Sequence, residues 1–112
     1  MKTVIQKIEF GNIIINGESF DSDITLFNDG YETKPKSHNI TKKDFEDLLL
    51  KEPEAVIIST GFSNAVKVDE KIKAIAKNEN IELFILPTKD AAKKFMELSG
   101  RKKVAAILHP TC

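Results

Sequence analysis

Among the residues able to do chemistry, the first to consider are the histidine and cysteine of the segment His109-Pro110-Thr111-Cys112. A nearby imidazolium lowers the pKa of a thiol, so a His–Cys pair is typical of a cysteine nucleophile. A terminal carboxylate on Cys112, however, would raise the thiol pKa again. We therefore predict no catalytic residue here, but a packed tail in which His109 and Thr111 satisfy backbone groups.

Polar residues also follow each of three apolar runs that are typical of buried strands. The carboxyl ends of parallel strands meet at one edge of a sheet, where open α/β folds bind ligands. This rule predicts a ligand or partner site made of Thr60, Gly61, Phe62, Ser63, Thr88, His109, Thr111 and Cys112. For Thr88 and Gly61 we favour the alternative that one caps a helix and the other makes a turn. If the last strand is antiparallel, His109 lies at the opposite edge from Thr60.

The sequence leaves two possible roles open for each of two loop residues, Phe62 and His38. Phe62 is the apolar residue of a polar loop, and it either anchors a partner or folds back onto the sheet. His38 is a further candidate for binding, although a lone loop histidine more often makes a backbone hydrogen bond. A metal site would require His38, His109 and a carboxylate to converge, and their spacing does not indicate it. The loop at Gly61 also lacks the lysine of a phosphate-binding loop, so we predict no metal and no cofactor.

The elements that must position these residues begin with β structure. Ile13 to Ile15 lead into Asn16-Gly17, a pair typical of a two-residue hairpin turn. A strand is predicted from Asp23 to Phe27, whereas Tyr31 to Ile40 has no periodicity, so we expect a loop there. Gly11 predicts a bulge or a close approach of backbone.

Helices and buried strands then alternate. Thr41, with Asp44 three residues later, predicts the start of one helix, and Asp69 and Thr88 are expected to cap two more. Short apolar runs predict buried strands at Ala55–Thr60, Ile81–Leu86 and Val104–Leu108. This alternation predicts a largely parallel core with right-handed crossovers.

The composition of the chain narrows the classes of function and partner that are possible. The 112 residues fit one domain, residues 1–112. Its 17 basic and 17 acidic side chains give zero net charge, which disfavours nucleic acid as a partner. The lone cysteine suits a reducing cytoplasm, and no apolar run is long enough for membrane insertion. We therefore expect a cytoplasmic protein, and we leave open whether it forms homo-oligomers.

The order and spacing of several short segments is more informative than any one of them. These segments are Phe10-Gly11, Asn16-Gly17, Ser22-Asp23-Ile24, Asp29-Gly30, Ser37-His38, Thr60-Gly61, Pro87-Thr88 and Val104 to Cys112. Together they resemble the Mth-type domain family of unknown function, which includes the adipogenesis-associated Mth-domain-containing protein and a mitochondrial complex I assembly factor. The chain departs from the family pattern at Ser59, where relatives have glycine, and at Met96, where many have asparagine.

The resemblance implies an α/β fold in three layers: a mixed central β-sheet, helices packed on it and an N-terminal β-hairpin element. It implies no established enzymatic activity, and the mitochondrial members act through protein partners. We therefore expect a non-enzymatic protein-interaction or assembly-factor-like module with a protein partner. The alternative is a small-molecule-binding or enzymatic domain that uses the loops at the carboxyl ends of the strands.

Overall fold

A computed structural model describes residues 2–111, which form ten strands and three helices. The strands are β1 (Ile5–Glu9), β2 (Asn12–Ile15), β3 (Glu18–Phe20), β4 (Asp23–Phe27), β5 (Gly30–Lys34), β6 (Asn39–Ile40), β7 (Ala55–Ser59), β8 (Lys67–Val68), β9 (Glu82–Leu86) and β10 (Val104–Leu108). The helices are α1 (Lys42–Leu49), α2 (Lys71–Asn78) and α3 (Thr88–Leu98). Within residues 2–111, no helix combines the length and the apolar character needed to span a membrane.

The central sheet has five strands in the order β5-β4-β10-β7-β9. Strands β10, β7 and β9 run parallel, while β4 lies antiparallel to both β10 and β5. Every residue of β7 and β10 is buried, because both faces of the sheet are covered. The mixed central sheet is therefore confirmed, and its parallel part includes the last strand.

Two apolar cores cover the two faces of this sheet. On one face, α3 and β2 pack against it through Ala91, Phe95 and Ile13. On the other face, α1 and α2 pack through Phe45, Leu48 and Ile72. Successive residues of the buried strands point to opposite cores, as the pleat of a strand requires. The result is the three-layer arrangement expected from the resemblance.

The N-terminal strands β1, β2 and β3 form a small antiparallel sheet of two successive hairpins. The second hairpin turns at Asn16 and Gly17, whose φ angles of 48° and 85° are the positive values that such a turn requires. The first turns at Phe10 and Gly11. The N–H of Gly11 donates to the carbonyl of Pro110 at 2.7 Å. The close approach expected at Gly11 is therefore a contact between this turn and the tail.

The N-cap of α2 is Glu70, so the prediction that Asp69 caps this helix is wrong by one residue. The Asp69 carboxylate still accepts the N–H of Lys71, the first residue of the helix.

The other two helix starts agree with the sequence in one case and correct it in the other. Thr41 and Asp44 form a capping box at the start of α1, because each side chain accepts the backbone N–H of the other. The N-cap of α3 is Pro87, so the prediction that Thr88 caps this helix is wrong. Thr88 is instead the first helical residue, and its hydroxyl bonds to the tail.

The loop expected between Tyr31 and Ile40 is wrong in part. Gly30–Lys34 is strand β5, and Asn39–Ile40 is strand β6, which pairs with β8. Within residues 2–111, strand β5 lies at the edge of the sheet and has β4 as its one strand neighbour. Its neighbouring residues Glu32 and Thr33 are both exposed, so it lacks the alternation that marks a half-buried strand.

Candidate functional site

The carboxyl ends of three parallel strands meet at one edge of the central sheet. Ser59 ends β7 and Thr60 follows it, Thr88 lies just beyond β9, and His109 directly follows β10. All four side chains are buried. The structure thus brings Thr60, Thr88 and His109 to the same edge, as the sequence rule for parallel strands requires.

His109 is the centre of a buried hydrogen-bond network at this edge. Its ring Nδ1 lies 3.0 Å from the hydroxyl oxygen of Ser59, and its backbone N–H donates to the same oxygen at 2.8 Å. Its carbonyl accepts the hydroxyl of Thr88 at 2.7 Å. Because the Ser59 oxygen accepts the backbone N–H, its own proton is available for Nδ1. These bonds join the ends of β7 and β10 and the start of α3.

The other ring nitrogen of His109 faces an acidic side chain. Its Nε2 lies 3.4 Å from Oδ2 of Asp23, the first residue of β4, and has no hydrogen-bond partner among the described residues. Asp23 Oδ2 accepts the N–H of Ser37 at 2.9 Å. Burial lowers the pKa of His109 and raises the pKa of Asp23, since desolvation disfavours the charged form of each. Burial therefore favours the neutral imidazole.

The contacts run from serine to histidine to aspartate, the order found in hydrolytic triads. A nucleophile must reach its substrate, yet Ser59 is 0% exposed and His109 and Asp23 are 1% and 2% exposed. The Ser59 oxygen is also occupied by the backbone N–H of His109. The arrangement supports a structural role, in which the network fixes the relative positions of β4, β7 and β10. Sequence reasoning missed Asp23 and Ser59 because only the fold brings them to His109.

The loop after β7 is tied to the same edge. The carbonyl of Gly61, whose φ is 87°, accepts the N–H of Thr88 at 3.1 Å. The hydroxyl of Thr60 bonds to the side-chain oxygen of Asn64. Gly61 is buried, whereas Ser63 is exposed in the turn that follows. This loop holds the start of α3 through its backbone, and none of its side chains, all in the described part of the chain, is a buried polar group without a partner.

Phe62 leaves this loop and meets the first hairpin turn. Its ring centroid lies 5.6 Å from that of Phe10, with the planes inclined by 35°. Phe62 is half-buried, but Phe10 is 68% exposed, which is unusual for a large apolar side chain. The pair borders a cleft of about 440 Å³ at the start of α3, lined also by Pro87, Thr88, Lys89 and Asp90.

A second depression of about 540 Å³ continues along the same helix. It lies between β1 and α3, and its lining residues are Ile5, Gln6, Lys7, Ile8, Lys89, Asp90, Ala92, Lys93 and Met96. Lys89 and Asp90 line both depressions, so the two form one surface that we call the α3 groove. Apart from Phe62 and Thr88, its residues were not predicted from the sequence. The feature of the sequence that could have indicated the groove is Phe10, a large apolar residue in a tight turn.

The remaining residues of the predicted site lie away from this network or make few of its contacts. His38 is exposed, and its carbonyl accepts the N–H of Lys67 at 2.8 Å, which joins β6 to β8. Thr111 is half-buried in the tail. Cys112 lies outside the described residues. Within residues 2–111, no three His, Cys, Asp or Glu side chains converge closely enough to hold a metal ion.

Comparison with known proteins places this arrangement in a family. A family model described as a protein of unknown function (DUF498/DUF598) matches residues 5–109. No functionally curated protein matches the chain. Among solved structures, the conserved hypothetical protein PH1505 from Pyrococcus horikoshii OT3 is 27% identical, with a TM-score of 0.86 over 97% of this chain and 99% of its own.

Two further solved structures share the fold. The protein MT938 is 28% identical, with a TM-score of 0.79 over 99% of this chain and 100% of its own. An outer membrane protein from Bartonella henselae is 20% identical, with a TM-score of 0.81 over 96% of this chain and 94% of its own, and this likeness concerns the fold alone. The family match covers nearly the whole length of the fold described above. The chain therefore belongs to the DUF498/DUF598 family of proteins of unknown function.

Proposed function

We propose that this protein is a non-enzymatic interaction domain that binds an acidic, amphipathic segment of a partner protein in the α3 groove. The observation that carries the proposal is the combination of an apolar floor with a lysine-rich rim along one continuous surface. The resemblance to the Mth-type family, whose mitochondrial members act through protein partners, agrees with it.

The floor of the α3 groove is built from apolar side chains that the fold leaves half-covered. Ile5 and Ile8 of β1 and Met96 of α3 are partly buried against the core, and the Phe10–Phe62 pair closes one end. From Thr88 to Met96 the helix spans about 12 Å, which accommodates about two turns of a partner helix. Aromatic and methionine side chains on such a surface are typical of interface anchors.

The charges around the α3 groove select the kind of partner. Lys7, Lys89 and Lys93 line it and are exposed, whereas Asp90 is the acidic residue of its lining and Glu9 pairs with Lys7 at 3.3 Å. The first turn of α3 adds the positive end of the helix dipole near Lys89. This excess of positive charge favours acidic residues in the partner, with apolar residues on the side that meets the floor.

The buried network at the strand ends supports this role over the enzymatic alternative. The hydroxyls of Ser59 and Thr88 each bond to His109, and the other ring nitrogen of His109 faces the buried Asp23. The polar groups that would define a reactive centre are therefore used in holding the fold together.

Affinity capture followed by titration tests the proposal. A partner identified with the wild-type protein should bind through a segment rich in acidic and apolar residues, and the double variant Lys89→Glu, Lys93→Glu should weaken binding by about tenfold or more. Lys73→Glu, on the exposed face of α2, is the matched control and should leave binding intact. Turnover of a small metabolite that is abolished by changing His109 or Thr60 would overturn the proposal, and so would partner binding that is insensitive to the double variant.

A further inference from the structure

The two edges of the central sheet differ sharply in character. Strand β5, at one edge, is polar, with Glu32 and Thr33 exposed and Lys34 at its end, and such charged residues protect an edge from pairing. Strand β9, at the other edge, reads Glu82-Leu83-Phe84-Ile85-Leu86, and its four apolar residues are all partly exposed. It contains no proline, lysine or bulge that would discourage a further strand.

The outer side of β9 presents free backbone groups. The N–H of Glu82 donates to Glu54 and the carbonyl of Leu86 accepts the N–H of Thr60, so alternate residues of β9 direct their backbone towards β7. By the alternation of a parallel ladder, Leu83 and Ile85 direct their N–H and carbonyl groups away from the sheet. Within residues 2–111, β9 pairs with β7 alone.

We propose that the free edge of β9 accepts an added strand: an extended segment of another protein in which apolar and acidic residues alternate. Residues of the incoming strand opposite Leu83 and Ile85 share their face of the sheet, which packs on the α2 side, and should be apolar. The residue opposite Phe84 lies on the α3 side, where the Nζ of Lys94 is 5.1 Å from the centre of the Phe84 ring. A carboxylate at that position would meet the Lys94 ammonium, which also lies 3.6 Å from Oε1 of Glu97.

The same charges disfavour a second copy of this chain as the occupant. Antiparallel pairing of two β9 strands about a two-fold axis would place Phe84 against its own copy and bring both Lys94 ammonium groups beside the axis. Helix α2, which covers the other side of β9, carries Lys71, Lys73 and Lys77, and its acidic neighbours are the two cap residues Glu70 and Glu79. Like charges would therefore accumulate on both faces of a symmetric dimer, whereas an acidic segment would be attracted.

This site is distinct from the α3 groove, although both involve α3. Lys93 lines the α3 groove on the β1 side, while Lys94 lies over Phe84 on the β9 side. The two adjacent lysines thus distinguish the two surfaces. Failure of the partner-binding proposal at Lys93 leaves strand addition at Lys94 unaffected, and the reverse also holds.

The test is a titration of the isotope-labelled protein with a capped peptide of about eight residues that alternates valine and glutamate. The peptide should slow amide hydrogen exchange at Leu83 and Ile85 by about tenfold, and Lys94→Glu should weaken its binding by a similar factor. Lys93→Glu should leave the affinity unchanged. A peptide of alternating valine and lysine should bind weakly to the wild type and better to Lys94→Glu.

A second variant removes the backbone donor itself. Ile85→Pro deletes an N–H that points away from β7, so it should abolish protection of Leu83 while the other exchange rates of the sheet persist. Equal binding by wild type and Lys94→Glu, protection at β5 in place of β9, or concentration-dependent dimerisation that protects Leu83 and Ile85 without peptide would each overturn the proposal.

Discussion

The hydroxyl of Thr88 donates to the backbone carbonyl of His109 at 2.7 Å, which ties the first turn of α3 to the end of β10. Both residues are buried, so neither group has water as an alternative partner. The bond positions the start of the α3 groove with respect to the central sheet.

Thr88→Val tests the energetic contribution of this bond. Valine keeps the shape of threonine but leaves the His109 carbonyl unsatisfied, so the free energy of unfolding should fall by about 1–3 kcal/mol. Urea denaturation followed by circular dichroism measures the change. Thr33→Val, at an exposed position of β5, is the control and should change stability by less than about 0.5 kcal/mol. Equal effects of the two variants would contradict a specific role of the Thr88 hydroxyl.

The buried histidine predicts a pH dependence of stability. Burial lowers the pKa of His109 in the folded state below its ordinary value of 6.5, so the unfolded chain binds more protons just below that pH. The free energy of unfolding should therefore fall as the pH drops below 6.5 towards the folded-state pKa. Asp23 acts in the opposite sense, since its raised pKa gives stability at low pH that is lost as the pH rises above 3.8 through that pKa.

His109→Asn isolates the histidine contribution, because the asparagine oxygen can still accept the Ser59 hydroxyl but does not titrate. Stability measured by denaturation at pH 7.5, 6.5 and 5.5 should lose less on acidification in this variant than in the wild type. An equal loss of stability on acidification in the variant and the wild type would contradict the assignment of this pH dependence to His109.

Replacing Gly17 in the Asn16-Gly17 turn should lower the free energy of unfolding through its backbone conformation alone. Gly17 has a φ of 85° and an added Cβ there meets no atom within 4 Å. Gly17→Ala should therefore destabilise the fold by roughly 1–2 kcal/mol through left-handed strain. Gly30→Ala is matched, because its Cβ is equally unobstructed but its φ is not positive, and it should cost less. Thermal unfolding of both variants compares them directly.

The aromatic pair should separate binding from stability. Phe10 is 68% exposed, so Phe10→Ser should change the free energy of unfolding by less than about 0.5 kcal/mol while it weakens partner binding in the α3 groove. Phe45→Ala, in the core under α1, should instead cost about 3–5 kcal/mol. Calorimetric titration and denaturation of the same samples give both quantities. A large loss of stability from Phe10→Ser would show that the Phe10–Phe62 pair stabilises the fold, and it would contradict the assignment of the pair to partner binding.

The features that the sequence predicts well are those with local signals. Strands β7, β9 and β10 are nearly continuous apolar runs, and the Thr41 cap and the Asn16-Gly17 turn depend on neighbouring residues only. Edge strand β5 was not predicted because its neighbouring residues Glu32 and Thr33 are both exposed, which removes the alternation typical of a half-buried strand. The pairing of Asp23 with His109 and the α3 groove arise from contacts between distant segments, which no local pattern encodes.

Strand β10 is the last strand along the described chain, yet it lies in the middle of the central sheet, between β4 and β7. A growing chain that has left the ribosome only as far as β9 would hold two separate pieces, β4–β5 and β7–β9, with no strand to join them. The turn at Gly11 would likewise lack its contact at Pro110. We therefore expect that the domain completes its sheet only after β10 emerges, so folding during translation should be late, slow and cooperative.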